Sequence, residues 1–325
     1  NGQFYRESDP EHPIRFYATT ISFGFPYRIP VPFSMGLRDL LRGKITRDEW
    51  RESLRAYAKE LRKRGFNMIR IERPFYSRGG VVMFNDEYFQ HTLKLMDESA
   101  KAMGKPYDKI PYYDPSKINP EYTKQIEDDF DFFYAECAKQ GIWIHATLDN
   151  NPYLCLRWID LFKNAPSQGF LVHYDEMARK DWALAAEAYM NHVNPYTGLA
   201  TKDNPQVLFC VGYNEQDFAF LRPQDWTPLK EEWKKFTKSD IPAPTYRDYM
   251  KRGKNFDLIQ KFVFHKELEI TRYFRDELRK TGYKGFYANY DVACTMRYSE
   301  LRKEGDFVLF HRYFDHPADG GRKLT

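Results

Sequence analysis

The sequence predicts an α/β protein built on a parallel sheet, and three observations carry that reading. Long amphipathic segments alternate with short apolar ones, the pattern of repeated βα units. Three joints between them, Lys63-Arg64-Gly65-Phe66, Lys139-Gln140-Gly141-Ile142 and Lys280-Thr281-Gly282-Tyr283, share one design. A basic last turn complements the helix dipole, Gly supplies a left-handed cap, and an apolar strand begins at once. Third, Pro205 opens an unbroken apolar run from Val207 to Val211, as expected of a strand buried on both faces.

Taken in order, residues 1–12 are polar and read as a lead-in, and residues 13–23 as a first strand. A loop rich in Pro, Gly and aromatics follows from Gly24 to Gly36. Thr46 and Glu49 form a capping-box signature for a helix whose face carries Trp50, Leu54, Tyr57 and Leu61. Gly65 stops it, and Phe66 to Ile71 is the next strand. Asn119-Pro120 starts a second helix with Tyr122, Ile126, Phe130, Phe133 and Cys137 on its apolar face. Gly141 ends that helix before a strand from Ile142 to Leu148.

A helix over about 174–192 leads through Asn194-Pro195-Tyr196-Thr197-Gly198 into the strand that ends at Asn214-Glu215. Another, over about 257–281, carries Phe264, Leu268, Thr271 and Leu278 and precedes a strand from Tyr283 to Asn289. Asp306 to Tyr313 reads as a sixth strand. The stretches 73–119, 150–173 and 216–256 are long, polar and rich in Pro, Tyr and Trp, and are expected to be loops beyond the strand C-termini. No linker divides residues 1–325, so a single domain of about six βα units is expected.

Composition narrows the classes of function. The 50 basic and 46 acidic residues are well mixed and include no tract resembling a nucleic-acid arm. No run is long enough to span a membrane. Aromatics make up 17% of the chain, which suits either a large aromatic core or a cleft lined with flat faces. Cys137, Cys155, Cys210 and Cys294 are scattered, without metal-ligand spacing or the density of a disulfide framework. There is no Gly-rich phosphate loop, no Gly-x-Ser-x-Gly elbow, no signal peptide and no Asn-X-Ser/Thr sequon. The chain begins at Asn1, so an upstream segment is expected to have been removed or left out.

Five segments together suggest a family. They are Pro13 to Thr20; Gly65-Phe66-Asn67-Met68-Ile69-Arg70; Gly141-Ile142-Trp143 to Asp149; Asn194 to Gly198 with Asp203-Asn204-Pro205 and Asn214-Glu215; and Asp306 to His311 with Tyr313 and Pro317. In this order the chain resembles the clan A glycoside hydrolases, the family-5-like cellulases and mannanases built on a TIM (β/α)8 barrel. Ala18 and Thr20 depart from the Gly and Asn of the family's first strand, and Asp149 falls where many relatives have His. The resemblance implies hydrolysis of a β-glycosidic bond with retention. That reaction uses two carboxyls about 5–5.5 Å apart. Glu215 would be the acid/base and Asn214 a partner of the substrate 2-hydroxyl. Arg70 would hold the nucleophile ionised, with His311 and Tyr313 on the floor of the site. Asp149 would be a cleft acid, and Trp226 a stacking platform for a sugar ring.

The family's nucleophile is a second Glu at the end of strand seven. Residues 312–325 contain no Glu, so the nucleophile and strands seven and eight are expected beyond Thr325, from a longer parent chain or a second fragment. The resemblance implies a carbohydrate substrate, no cofactor, and a secreted, periplasmic or cell-surface setting. A catalytically inactive carbohydrate-binding or scaffold protein on the same barrel is the alternative. A metal-dependent hydrolase using His145, His311, His316, Asp149 and Glu215 has no supporting ligand spacing.

Overall fold

A computed structural model describes residues 4–22, 44–72, 120–148, 172–174, 176–213, 226, 229–253, 255–289 and 296–309. An antiparallel hairpin, β1 (Phe4–Arg6) and β2 (Asp9–Ile14), comes first. Five parallel strands follow: β3 (Ala18–Ser22), β4 (Met68–Glu72), β5 (Trp143–Thr147), β6 (Val207–Val211) and β7 (Phe286–Ala288). They lie side by side in chain order. Helices α1 (Arg47–Lys63), α2 (Pro120–Lys139), α3 (Glu176–Asn191) and α6 (Phe256–Lys280) connect them. Two shorter helices, α4 (Leu229–Thr237) and α5 (Tyr246–Lys251), precede α6, and α7 (Met296–Leu301) follows β7. No described helix is long and apolar enough to cross a membrane.

A doubly wound sheet reverses its strand order at a switch point, with helices on both faces. Here the order never reverses, and α1, α2, α3 and α6 share one core with a single face of the sheet. Ile21, Ile71, Ala146, Cys210 and Tyr287 meet Trp50, Leu54, Phe133, Cys137, Trp182, Ile270 and Phe274 there. Right-handed crossovers between sequential parallel strands give this arrangement, and it is TIM-barrel-like. Five parallel strands are found among the described residues where the sequence suggests six.

The local signals explain the elements. Thr46 and Glu49 form the expected reciprocal capping box, the Thr46 hydroxyl accepting from Glu49 N and the Glu49 carboxylate accepting from Thr46 N. Gly65, Gly141 and Gly282 hold φ of +89°, +66° and +91°, where a side chain would strain the backbone. The first two close Schellman motifs. Phe66 N donates to Leu61 O at 3.0 Å, and Ile142 N to Cys137 O at 3.0 Å. The strands then start two to four residues beyond these glycines, at Met68, Trp143 and Phe286.

The N-terminus corrects the sequence reading. Residues 4–14 are not a lead-in but a hairpin, and the first parallel strand begins at Ala18 rather than at Pro13. Pro10 and Pro13 argue against a central strand but are tolerated at an edge. The hairpin serves the opposite face of the sheet. Phe4 and Phe16 meet Phe209 of β6 edge-on, both at 5.1 Å between centroids, while Phe4 also meets Phe286 and Phe16 meets Trp143. Phe286 and Phe307 also meet Phe209, at 5.7 and 4.7 Å, so four phenylalanine rings converge on it. This cluster fills the interior toward the strand N-termini. Asn67 binds the hairpin's exit to β4: its side chain accepts from Tyr17 N at 2.8 Å and donates to Arg15 O at 2.7 Å.

The sixth predicted strand is also revised. Residues 306–309 form a bend without a strand ladder. Asp306 nevertheless occupies both hydrogen-bonding groups of Tyr287 on the β7 edge. Its N donates to Tyr287 O at 2.7 Å, and its carboxylate accepts from Tyr287 N at 2.8 Å. Residues 310–313, including His311 and Tyr313, lie outside the described residues.

Two predictions follow from this packing. Phe209→Ala removes the ring on which four others converge and is expected to destabilise the protein by about 3–5 kcal/mol in urea unfolding. A loss under about 1 kcal/mol would mean that the cluster collapses around the gap. Between α1 and α2, Asp129 accepts from the Trp50 indole at 3.0 Å and pairs with Arg47 at 3.0 Å. Burial nonetheless pushes its carboxyl up to about 6. The folded state thus keeps a proton that the unfolded chain releases near pH 4, so this group's contribution to stability falls as pH rises from about 4 to about 6. Asp129→Asn should flatten that part of the urea-midpoint profile. Parallel profiles for the two proteins would contradict the assignment.

Candidate active site

Period-two alternation assigns each strand residue to the helix layer or to the interior. The cross-strand register places Arg70 of β4 beside His145 of β5, and His145 beside Phe209 of β6. One step toward the strand C-termini, Thr147 pairs with Val211, and Val211 with Ala288. The interior is thus aromatic where the hairpin enters and polar further up β4 and β5. Arg70 is half-buried, His145 is buried with its ring 6.2 Å from that of Phe209, and Thr147 is fully buried. Arg70 Nε donates to Thr147 Oγ1 at 3.2 Å. Arg70, one of the site residues predicted from sequence, lies on the interior face of β4. Thr147 was missed, because a lone Thr in a β-rich run looks like ordinary strand composition.

The strand ends are held closely. The ladder continues past β5 and β6: Leu148 N donates to Val211 O at 2.7 Å, and Gly212 N to Ala288 O at 3.1 Å. From the helix side, the fully buried Trp182 indole donates to Leu148 O at 2.7 Å and to Gly212 O at 3.3 Å. One side chain of α3 therefore braces both strand ends immediately before Asp149 and Asn214. Gly212 is required by contact rather than by φ. A Cβ there would stand 2.8 Å from Phe274 Cδ2, 3.0 Å from the Tyr287 hydroxyl and 3.2 Å from Asn289 Oδ1. Asn289, at the end of β7, is itself held by Thr271, whose hydroxyl accepts from its Nδ2 at 3.2 Å. Asp149, Asn214, Glu215, His311 and Tyr313 lie outside the described residues.

The segments returning from the loops after β5 and β6 are tied to α6 by charge. Arg179 of α3 donates to Val172 O at 2.6 Å and His173 O at 3.1 Å, and pairs with Glu269 at 2.6 Å. Glu269 shares the buried Lys266 ammonium with Glu232 of α4, each at 2.8 Å. Burial raises the Glu232 and Glu269 carboxyls, but the hydrogen bonds and cations around them outweigh it and hold both below the usual range. Burial, reinforced by Lys266 and Arg179, pushes the His173 imidazole well down, so it is neutral at physiological pH.

Trp226 corrects the sequence reading. It is buried with Leu229, Trp233, Tyr249, Ile259 and Phe262, its ring 5.3 Å from Tyr249. It packs a satellite core and has no open face for a sugar. Asn194 to Gly198 lies away from the strand C-termini and is structural. The Asn194 side chain accepts from Tyr196 N and donates to Asp131 O, both at 2.8 Å, while Tyr196 donates to Asp128 at 2.7 Å. A cavity of about 20 Å³ nearby, lined by Phe130, Asp131, Tyr189 and His192, has room for about one water molecule. Among the described residues no three His, Cys, Asp or Glu side chains converge as metal ligands would.

No protein-family model matches the chain, and no curated protein matches it. Among solved structures it is similar to an endo-1,4-β-mannanase of Rhizomucor miehei, at 11% identity and a TM-score of 0.41, over 89% of this chain and 58% of that one. It is also similar to the endo-1,4-β-D-mannanase of Thermotoga petrophila, at 14% identity and 0.35, over 71% and 49%. A glycoside hydrolase family 5 mannosidase of Rhizomucor miehei shows 13% identity and 0.31, over 75% and 52%. The chain spans about half the length of these proteins.

The crowding at Gly212 makes a prediction. Gly212→Ala should cost about 1–3 kcal/mol by overpacking against Phe274 and Tyr287. Thermal unfolding of the two proteins would show it. An unchanged midpoint would mean that this approach is looser than the contacts indicate.

Proposed function

We propose that the protein is a glycoside hydrolase that cleaves a β-linked oligo- or polysaccharide with retention, Glu215 serving as acid/base. The observation that carries the reading is the placement of Arg70. It lies on the interior face of β4, hydrogen-bonded to β5, while β6 runs in register beside them toward Asn214-Glu215. In parallel barrels chemistry is done at the strand C-termini, and in the sequence Glu215 follows the last residue of β6 by four positions. The sequence resemblance to clan A glycoside hydrolases supports the same assignment.

In this mechanism Glu215 protonates the leaving oxygen and later activates water, so it must carry a proton when substrate binds. Asn214 holds the 2-hydroxyl, a contact that strengthens as oxocarbenium character develops. Arg70 favours the ionised form of the attacking carboxylate. His311 and Tyr313 complete the floor and Asp149 the rim. The substrate is a carbohydrate, and a secreted or cell-surface setting suits a polymer substrate.

Glu215→Ala in the full-length protein tests the assignment. Activity on natural β-glycans should fall by about 10²–10⁴-fold, the usual contribution of a general acid. Activity on aryl glycosides with good leaving groups should fall far less at the glycosylation step, because those groups depart with little proton donation. Equal losses on both substrates would overturn the role given to Glu215.

A further inference from the structure

We propose that Thr147 is the positioning residue of Arg70: its hydroxyl sets the orientation of the guanidinium on the interior face of the sheet. The inference rests on the reading of Arg70 as an active-site residue, and goes beyond it by naming the group through which β5 acts.

Thr147 has no exposed surface, and its register partner on β6 is Val211. Strand propensity and packing alone would be met equally well by Val at this position. A hydroxyl withdrawn from water is unfavourable unless it is hydrogen-bonded, so its presence needs a use. The use seen is the 3.2 Å bond from Arg70 Nε. An arginine side chain has many rotamers, and its planar fork recognises a carboxylate well only when the plane is held. Engaging Nε from the next strand holds that plane, and recognition of a carboxylate then falls to the two terminal nitrogens. Thr147 is itself held by the β5 ladder, the buried environment and a β-branched Cβ with few rotamers. The support is thus more rigid than the group it supports.

The test separates this geometry from the chemistry it serves. In full-length protein labelled with ¹⁵N-arginine, Arg70→Lys identifies the Arg70 Nε–H resonance. Its exchange with solvent should be slowed, and Thr147→Val should speed it by about tenfold or more, as expected when a protecting hydrogen bond is lost. Thr147→Ser, which keeps the oxygen, should retain the protection. Thr147→Ala provides the same loss should Val disturb the fold. Unchanged exchange in the folded Val or Ala variant would overturn the proposal.

The second readout is the pH profile of kcat/KM on an aryl β-glycoside. Thr147→Val should lower kcat by about 10–100-fold, the usual effect of losing a supporting hydrogen bond, and move the acidic limb to higher pH. Thr147→Ser should restore both. If exchange protection is lost while the limb and kcat stay unchanged, Thr147 positions Arg70 but the glycosidase role of Arg70 fails.

Discussion

A sheet whose described helices all lie on one side must find something else for its other side, and that requirement organises this molecule. Alternation sends Ile69, Ile71, Ile144, Ala146 and Cys210 into the helix layer, and the residues between them inward. No described helix covers the inward side. Toward the strand N-termini it is filled by Phe209 and the rings the hairpin brings to it. Toward the C-termini the fill changes to Arg70, His145 and Thr147. An apolar lower half provides the hydrophobic stabilisation and frees the upper half to hold polar groups in a shielded place. The polar character of the upper interior is thus a consequence of how the lower half is plugged.

The same economy appears at the strand ends. Backbone hydrogen bonds carry the parallel ladder through Leu148 and Gly212, and Trp182 fastens both ends to α3. Gly212 lets the chain pass against Phe274, Tyr287 and Asn289 without a side chain of its own. Further out, Arg179, Glu269, Lys266 and Glu232 link the returns of two loops to α6. Lys266 is almost wholly buried between its two carboxylates. Losing either partner would leave charge poorly compensated in the interior, which is strongly destabilising.

Much of the fold was legible because its signals are local. The Thr46–Glu49 box and the glycines at 65, 141 and 282 mark helix ends by backbone chemistry that tertiary packing seldom overrides. The hairpin was not legible, since its value lies in Phe4 and Phe16 reaching strands far along the chain. Helices α4 and α5 hid in a polar stretch for a similar reason: Trp233 meets Phe262 of α6, and Tyr249 meets Trp226, both across more than twenty residues of sequence. On α6, Phe264 and Leu268 suggest a face that turns instead toward Leu301, while Phe262, Phe274 and Leu278 pack into the two larger cores. Trp226 was misread because an aromatic in a loop gives no sign of whether its ring is covered. Arg70 was found through its motif, and Thr147 only through its bond.

The central claim is spatial: the polar half of the interior is the floor of a sugar-binding cleft that Glu215 and Arg70 share. A crystal structure of the full-length protein with a bound β-linked oligosaccharide tests it directly. The account predicts a sugar ring at the C-terminal ends of β4, β5 and β6, with the Glu215 carboxyl at the glycosidic oxygen and the Arg70 guanidinium in the same cavity. Sugar bound elsewhere, or a Glu215 side chain turned away from the cavity that holds Arg70, would contradict it.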